Sequence, residues 1–342
     1  MVDRAPFAPV PVVGRSLDQS AATLTKEIDA WTSSEPLTAL IGRFGGGLPD
    51  GTLASRLEYL DTFSEVWDFR GRASAAGQAA ERNQAAIVSF HPGTASLIGD
   101  AVDALGLVTP NYPQLDYYDH VLINGALVRY SMWRMAYAGH VLRSGMRTGT
   151  VAALTAYRAM ARSDANPDVD EPTLLARYGL PMVPDEAAMM EILLRREFGL
   201  GDMTEIVGDD TGARGARFSV RACEKDGMTF ALVAAPDPTS AARAQTGDTM
   251  RFWATEVVAL KPGDKVLSIS SAIYGPFQHA AALQNLRLPY GAWIDTVAID
   301  FDVIPPEPKP YTFSASQYLQ EVRSTIRAYR GLLGAIEGHS TI

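Results

Sequence analysis

In the first third of the chain, apolar positions recur at helical spacing. Leu24, Ile28 and Trp31 share one face of a segment from Asp18 to Trp31. Glu35 to Phe44 is a second, short helix, stopped by Gly45-Gly46-Gly47. Leu53, Leu57, Leu60 and Phe63 mark a third. Asn83 to Phe90 and Ala95 to Leu105 continue the pattern, with Ile98, Val102 and Leu105 inward and Gly106 ending the run. A loop rich in Pro and Tyr, Pro110 to Tyr118, separates this region from the rest.

Beyond Tyr118 the period changes. Short β-branched or apolar runs alternate with helical segments. Strands are expected at His120 to Asn124, Thr150 to Thr155, Thr229 to Ala235, Lys265 to Ser270 and Thr296 to Phe301, with weaker ones at Thr204 to Val207 and Ala216 to Cys223. Helices are expected at Ser131 to Leu142, Asp185 to Phe198, Ala241 to Thr255 and Gln278 to Leu286. Such alternation argues for an α/β fold, a mostly parallel sheet with helices on both faces. The last helix opens at a Ser314/Gln317 capping box and carries Leu319, Val322, Ile326, Tyr329, Leu333 and Ile336 at three- to four-residue intervals. It packs on the domain or forms an oligomer interface. The expected organisation is a helical N-terminal region, 1–118, packed on an α/β domain, 119–342, that includes this C-terminal helix.

Composition narrows the function classes. The 342 residues are 47% hydrophobic and 20% charged, which is globular, and 39 acids against 30 bases give a formal charge of -9. Without a basic run, a nucleic-acid surface is not expected. No uninterrupted apolar stretch reaches the length of a membrane span, and Met1 to Arg15 lacks the apolar core of a signal peptide, so a cytoplasmic protein off the membrane is expected. The single cysteine, Cys223, excludes an internal disulfide and a cysteine zinc cage; a small buried hydrophobe is its simplest role. His91, His120, His140 and His339 show no metal-ligand spacing, and Asp209-Asp210 and Asp295, Asp300 and Asp302 read as turn and strand-edge acids, so no metal site is expected.

Candidate chemistry gathers at strand ends and helix starts, where open α/β sheets hold ligands. Gly125, in the turn Asn124-Gly125-Ala126, permits close backbone approach, and Arg129 just beyond could hold an anion bidentately. Arg158 ends the second strand and faces either an anion or solvent. Asp185-Glu186 caps a helix or places Glu186 as a general base. Arg243, Gln245, Thr246, Asp248 and Thr249 crowd one helix start, and Ser270, Ser271, Tyr274 and His279 follow a strand. Asp248 and His279 are the further acid–base candidates. A Gly-x-Ser-x-Gly elbow is absent, so a nucleophilic serine is not expected.

These motifs resemble those of the SanA/YdcF-like family of bacterial α/β proteins. The matching residues are Val121-Leu122-Ile123-Asn124-Gly125-Ala126, Asp185-Glu186-Ala187, Gln245-Thr246-Gly247-Asp248-Thr249 and Ser270-Ser271-Ala272-Ile273-Tyr274. Departures are clear: of the family's Asn-Thr-x-Glu-Asn element only Thr246 is kept, and Tyr274 stands at its histidine. The resemblance covers about half the chain. It implies a Rossmann-like sheet whose crevice takes a nucleotide-like ligand, with S-adenosylmethionine a candidate cofactor. Two readings follow. The first is an enzyme on a small anionic or nucleotide-like metabolite, with Arg129, Arg158 and Arg243 as anchors. The second is a ligand-binding or regulatory module without catalysis. A homo-oligomer or an interaction protein built on the terminal helices is a further expectation.

Overall fold

The computed structural model describes residues 7–69, 87–163, 167–209, 217–237 and 244–339. In chain order the elements begin with α1 (Ala21–Thr32), α2 (Glu35–Arg43), α3 (Leu53–Phe63) and α4 (Pro92–Ala104). Next come β1 (Tyr117–Asn124), α5 (Val128–Arg143), β2 (Arg147–Ala156), α6 (Glu171–Arg177) and α7 (Glu186–Phe198). After these lie β3 (Thr204–Asp209), β4 (Phe218–Lys225), β5 (Met228–Ala235), α8 (Thr246–Phe252) and β6 (Lys265–Ser270). The chain ends with α9 (Gly275–Ala282), the short α10 (Leu288–Tyr290), β7 (Trp293–Ala298) and α11 (Ala315–His339). Contacts divide the chain into two compact units. One comprises 1–109, 272–284 and 311–342; the other comprises 110–271 and 285–310.

The first unit is helical. Ser20 caps α1 by accepting from the Thr23 amide, and Thr52 caps α3 by accepting from Ser55. The Ser314/Gln317 box forms as expected: the Ser314 amide donates to Gln317 Oε1 at 2.8 Å, and the Gln317 amide to Ser314 Oγ at 3.3 Å. α11 packs against α1, α3, α4 and α9. It is therefore buried on more than one side, with Gln320, Arg323 and Thr325 inside as well as Leu319, Val322 and Ile326. Arg323 Nη1 donates to the Asp61 carbonyl at 2.9 Å and to Ser64 Oγ at 3.1 Å. The Tyr329 ring meets Trp31 edge-on at 5.0 Å. The C-terminal helix thus groups with the N-terminal helices, whereas the sequence reading assigned it to the α/β domain. Its apolar stripe fits the tryptophan- and leucine-rich faces of α1 and α3.

The helix expected at Asn83 to Phe90 is not found in its described part. Residues 87–90 have no regular structure, and the Val88 amide is held by Ser316 Oγ at 3.1 Å.

The second unit is an α/β domain on a seven-stranded sheet, order β3-β4-β5-β2-β1-β6-β7. β5, β2, β1, β6 and β7 run parallel, and β4 is antiparallel to both β3 and β5. The advance across the sheet goes from β1 through β2 to β5, then jumps back to β6 and on to β7. Right-handed crossovers therefore put α5 and α7 on one face and α8 on the other. The strand order reverses between β1 and β6, which makes that boundary the topological switch point.

β7 begins and ends three residues earlier than the alternation suggested, since Trp293 to Ala298 pair with Lys265 to Ser270. Asp295 hid this start, because a carboxylate in mid-strand reads as a break. Here it is fully buried and accepts from Tyr118 Oη at 2.7 Å and the Gln114 amide at 2.9 Å. Asn111 lies along the same edge, donating to the Thr296 carbonyl at 2.8 Å and accepting from the Ala298 amide at 2.7 Å. The Pro- and Tyr-rich loop thus serves as a side-chain substitute for an eighth strand. Cys223 lies towards the end of β4, beside Glu224 and Lys225, and is partly exposed, not buried as expected.

Candidate functional site

The carboxyl ends of the parallel strands carry some of the polar residues that stood out in the sequence, Arg158, Ser270 and Ser271 among them. β1 ends at Asn124, whose side-chain amide donates to Ser268 Oγ on β6 at 2.9 Å, tying the two strands at the switch point. Gly125 follows, and its amide donates to the Leu154 carbonyl of β2 at 2.7 Å. A Cβ there would stand 2.3 Å from Glu186 Oε1 and 2.6 Å from Leu154 O, so only glycine fits. Arg134, reaching back from α5, donates to the Asn124 carbonyl at 2.7 Å and the Gly125 carbonyl at 3.1 Å.

Next to this turn lies a buried ionic cluster. Arg158 Nε donates to Glu186 Oε2 at 2.8 Å, and its Nη1 and Nη2 grip Glu171 at 2.7 and 3.1 Å. Thr155 Oγ1 donates to Glu186 Oε1 at 3.0 Å. Relative exposures are 7% for Arg158, 0% for Glu171 and 5% for Glu186, so these charges are held by one another and not by water. Burial acts to lower the Arg158 pKa, but the hydrogen bonds to Glu171 and the charge of Glu186 outweigh it and raise it above its ordinary value.

Glu171 was not singled out in the sequence. Its carboxylate also accepts from the Val128 amide at 3.1 Å, the first residue of α5, and from the Ala161 amide at 2.6 Å. The start of the helix after β1, where Rossmann-type sheets place an anionic ligand group, is thus filled by the chain's own carboxylate. Asp170-Glu171-Pro172 has the pattern of a helix start and could have revealed α6. It could not have revealed the partner of Glu171, which lies 13 positions back in the chain.

This arrangement corrects the expected anchors. Arg158 faces the carboxylates of Glu171 and Glu186 and not solvent. Arg129 pairs with Asp168 at 3.0 Å, a carboxylate that also holds Arg177 at 2.7 Å. Arg177 above all, together with Arg129, keeps Asp168 ionised below the usual carboxylate range. Arg243 lies outside the described residues. Gly125, Arg158 and Glu186 do come together. Gln245, Thr246, Asp248 and Thr249 form a separate local group at the start of α8. Asp248 closes a capping box there, accepting from the Gln245 amide at 2.9 Å, and pairs with Arg251. Thr249 Oγ1 donates to the Thr246 carbonyl at 2.9 Å. These bonds complete the helix start, so Asp248 is a capping residue in this structure.

Ser270 and Ser271 end β6 in the α/β unit. Ser270 Oγ donates to the Ser271 carbonyl at 3.2 Å. Ser271 is 4% exposed, and its hydroxyl has no hydrogen-bond partner among the described residues. Tyr274 and His279 fall in the helical unit. Tyr274 packs edge-on to Phe313 at 6.3 Å, and His279 is buried on α9 close to the backbone of Gly14. Burial and the charge of Glu224 push the Cys223 thiol up, the wrong direction for a nucleophile. Among the described residues no group of three or more His, Cys, Asp or Glu side chains could hold a metal ion, and no helix is long and apolar enough to cross a membrane.

Residues 15–106 match the Rv3785 N-terminal domain family. That stretch contains α1 to α4 and lies within the helical unit. Over nearly its whole length the chain resembles the uncharacterized protein Rv3785 of Mycobacterium tuberculosis (strain ATCC 25618 / H37Rv), at 29% identity covering 98% of this chain and 96% of the relative. The uncharacterized protein Mb3814 of Mycobacterium bovis matches to the same extent. No solved structure matches.

Proposed function

We propose that the α/β unit binds a small polar metabolite outside the carboxyl ends of β1 and β6, with the Ser271 hydroxyl as one of its contacts. The observation that carries this reading is that hydroxyl, buried and unpartnered at the switch point. Leaving a buried hydroxyl unpaired costs about 1–3 kcal/mol, which a ligand would recover. Electrostatics narrows the ligand. Two carboxylates, Glu171 and Glu186, lie beside the Arg158 guanidinium, with Arg134 on the Asn124 and Gly125 carbonyls, so the surroundings carry no net positive charge, and the α5 start is already taken. A neutral or cationic ligand suits these surroundings better than a phosphate. The resemblance to the SanA/YdcF-like family suggests S-adenosylmethionine, whose sulfonium and amine are cationic. The protein would then be a cytoplasmic small-molecule binder, acting alone or as a homo-oligomer and independent of nucleic acid and membrane.

The enzymatic reading comes second. It is favoured by Glu186, whose carboxylate lies against both the Gly125 turn and the Thr155 hydroxyl. Thermal unfolding with S-adenosylmethionine, S-adenosylhomocysteine and ATP tests the proposal. S-adenosylmethionine at about 100 times its Kd adds roughly 2.7 kcal/mol of stability. ATP adds less, and Ser271→Val removes the gain. Stabilisation by ATP alone, or binding indifferent to Ser271→Val, overturns the reading. Mass spectrometry of the incubated ligand separates binding from turnover.

A further inference from the structure

A cavity of about 290 Å³ opens at the other end of the α/β unit, lined by the C-terminal half of α5, the loop before β1 and the chain after β7. His140 of α5 stands twelve residues beyond Val128, so it lies roughly 18 Å along the helix from the strand-end cluster. The site is therefore independent of the one proposed at the switch point.

Its lining is largely aromatic and aliphatic. Among its lining residues Tyr137 is buried and Met146 half-buried, while Tyr112 and Val303 are 58% and 39% exposed. Tyr112 Oη donates to Asp300 Oδ2 at 2.9 Å, which fixes the direction of its ring. The Tyr137 and His140 rings lie nearly parallel, 13° apart, with centroids separated by 6.3 Å. The second ring nitrogen of His140 sits 3.3 Å from Ser144 Oγ.

Asp116 is the one carboxylate lining the cavity. Its carbonyl accepts from the Arg147 amide at 3.0 Å, but its carboxylate has no hydrogen bond or ion pair among the described residues. The nearby Arg147 guanidinium lies over the Tyr117 ring, 6.0 Å from its centroid.

We infer that this cavity binds a compact aromatic amine. The ring would lie against Tyr137, Met146 and Val303, and the ammonium would face Asp116 and the aromatic faces. The volume is at the small end of ligand pockets, which limits the ligand to about one fused ring system. Aromatic faces are negative, so carboxylate and rings both favour a cation. Large apolar side chains left exposed at a cavity mouth are the surface such a ligand would cover.

Isothermal titration of the full chain with tryptamine tests this, with indole as the uncharged probe and indole-3-acetate as the anion. Saturable one-to-one binding of tryptamine is expected, with indole three- to fivefold weaker and the anion weaker still. Asp116→Asn should weaken tryptamine about three- to fivefold and leave indole unchanged, as expected for one solvent-accessible charge pair. Val303→Arg, at an exposed position, should abolish tryptamine binding without altering the melting temperature. Ser271→Val should have no effect on it. Indole-3-acetate binding as tightly as tryptamine, non-saturable uptake, or tryptamine affinity unchanged in both mouth variants overturns the inference.

Discussion

Replacing Arg158 with methionine keeps much of the side-chain length and removes the cation. The wild-type guanidinium makes three contacts to carboxylates, at 2.7, 2.8 and 3.1 Å. Without it, Glu171 and Glu186 stay buried and lose the guanidinium they share. Breaking a buried pair in this way costs about 3–5 kcal/mol. Glu171 keeps its two backbone donors, Val128 and Ala161, which holds the cost within that range. Urea unfolding of the full chain, followed by hydrogen exchange resolved over β1 and β2, measures the loss where it occurs, because the two units need not unfold together. For a slope of about 3 kcal/mol/M the midpoint of the α/β unit falls by roughly 1–1.7 M. Adding Glu186→Gln removes one stranded charge while keeping a partner for Thr155, and should restore about 1–2 kcal/mol. A loss below about 1 kcal/mol, or no recovery in the double variant, would refute the view that Arg158 is the structural counter-ion of these two buried carboxylates.

Two further outcomes test other parts of the structure. His120 sits between Thr150 Oγ1, at 2.8 Å, and Asp264, at 3.5 Å, with its ring edge-on to Trp253. Burial lowers its pKa despite the opposing pull of Asp264 and Asp119. Its depressed folded-state pKa means the unfolded chain binds its proton first. Stability should therefore fall as pH drops below about 6.5, and His120→Gln should flatten that slope in pH-dependent urea melts. Gly14 adopts φ +79°, and a Cβ there would stand 2.4 Å from Leu283 Cδ1 and 3.1 Å from His279 Nε2. Gly14→Ala should cost about 2–3 kcal/mol in the helical unit, read from segment-resolved hydrogen exchange over α1 and α9.

The candidate site shows where sequence reasoning stops. Gly125, Arg158 and Glu186 were legible because turn glycines and charges at strand ends stand out locally, and the fold does bring them together. Their roles were not legible. Arg158 reads as an anion anchor until Glu171 appears opposite it, and nothing near Glu171 in the chain announces that contact. Asp248 carried the same ambiguity, and its capping bond resolves it. Asp295 is the converse case: a buried acid that interrupts a strand pattern on paper is satisfied by Tyr118 and Gln114, each more than 170 positions away.

By itself, the sequence determined the α/β class, the helical opening third, the parallel strands and the long closing helix with its cap. Hydrophobic period and capping chemistry act over a few residues, so they can be read without the fold. Only tertiary structure decided which helices α11 joins, where β7 begins, and that a carboxylate from α6 fills the α5 start. Those outcomes depend on which distant groups can desolvate against one another, and that choice is made by three-dimensional packing.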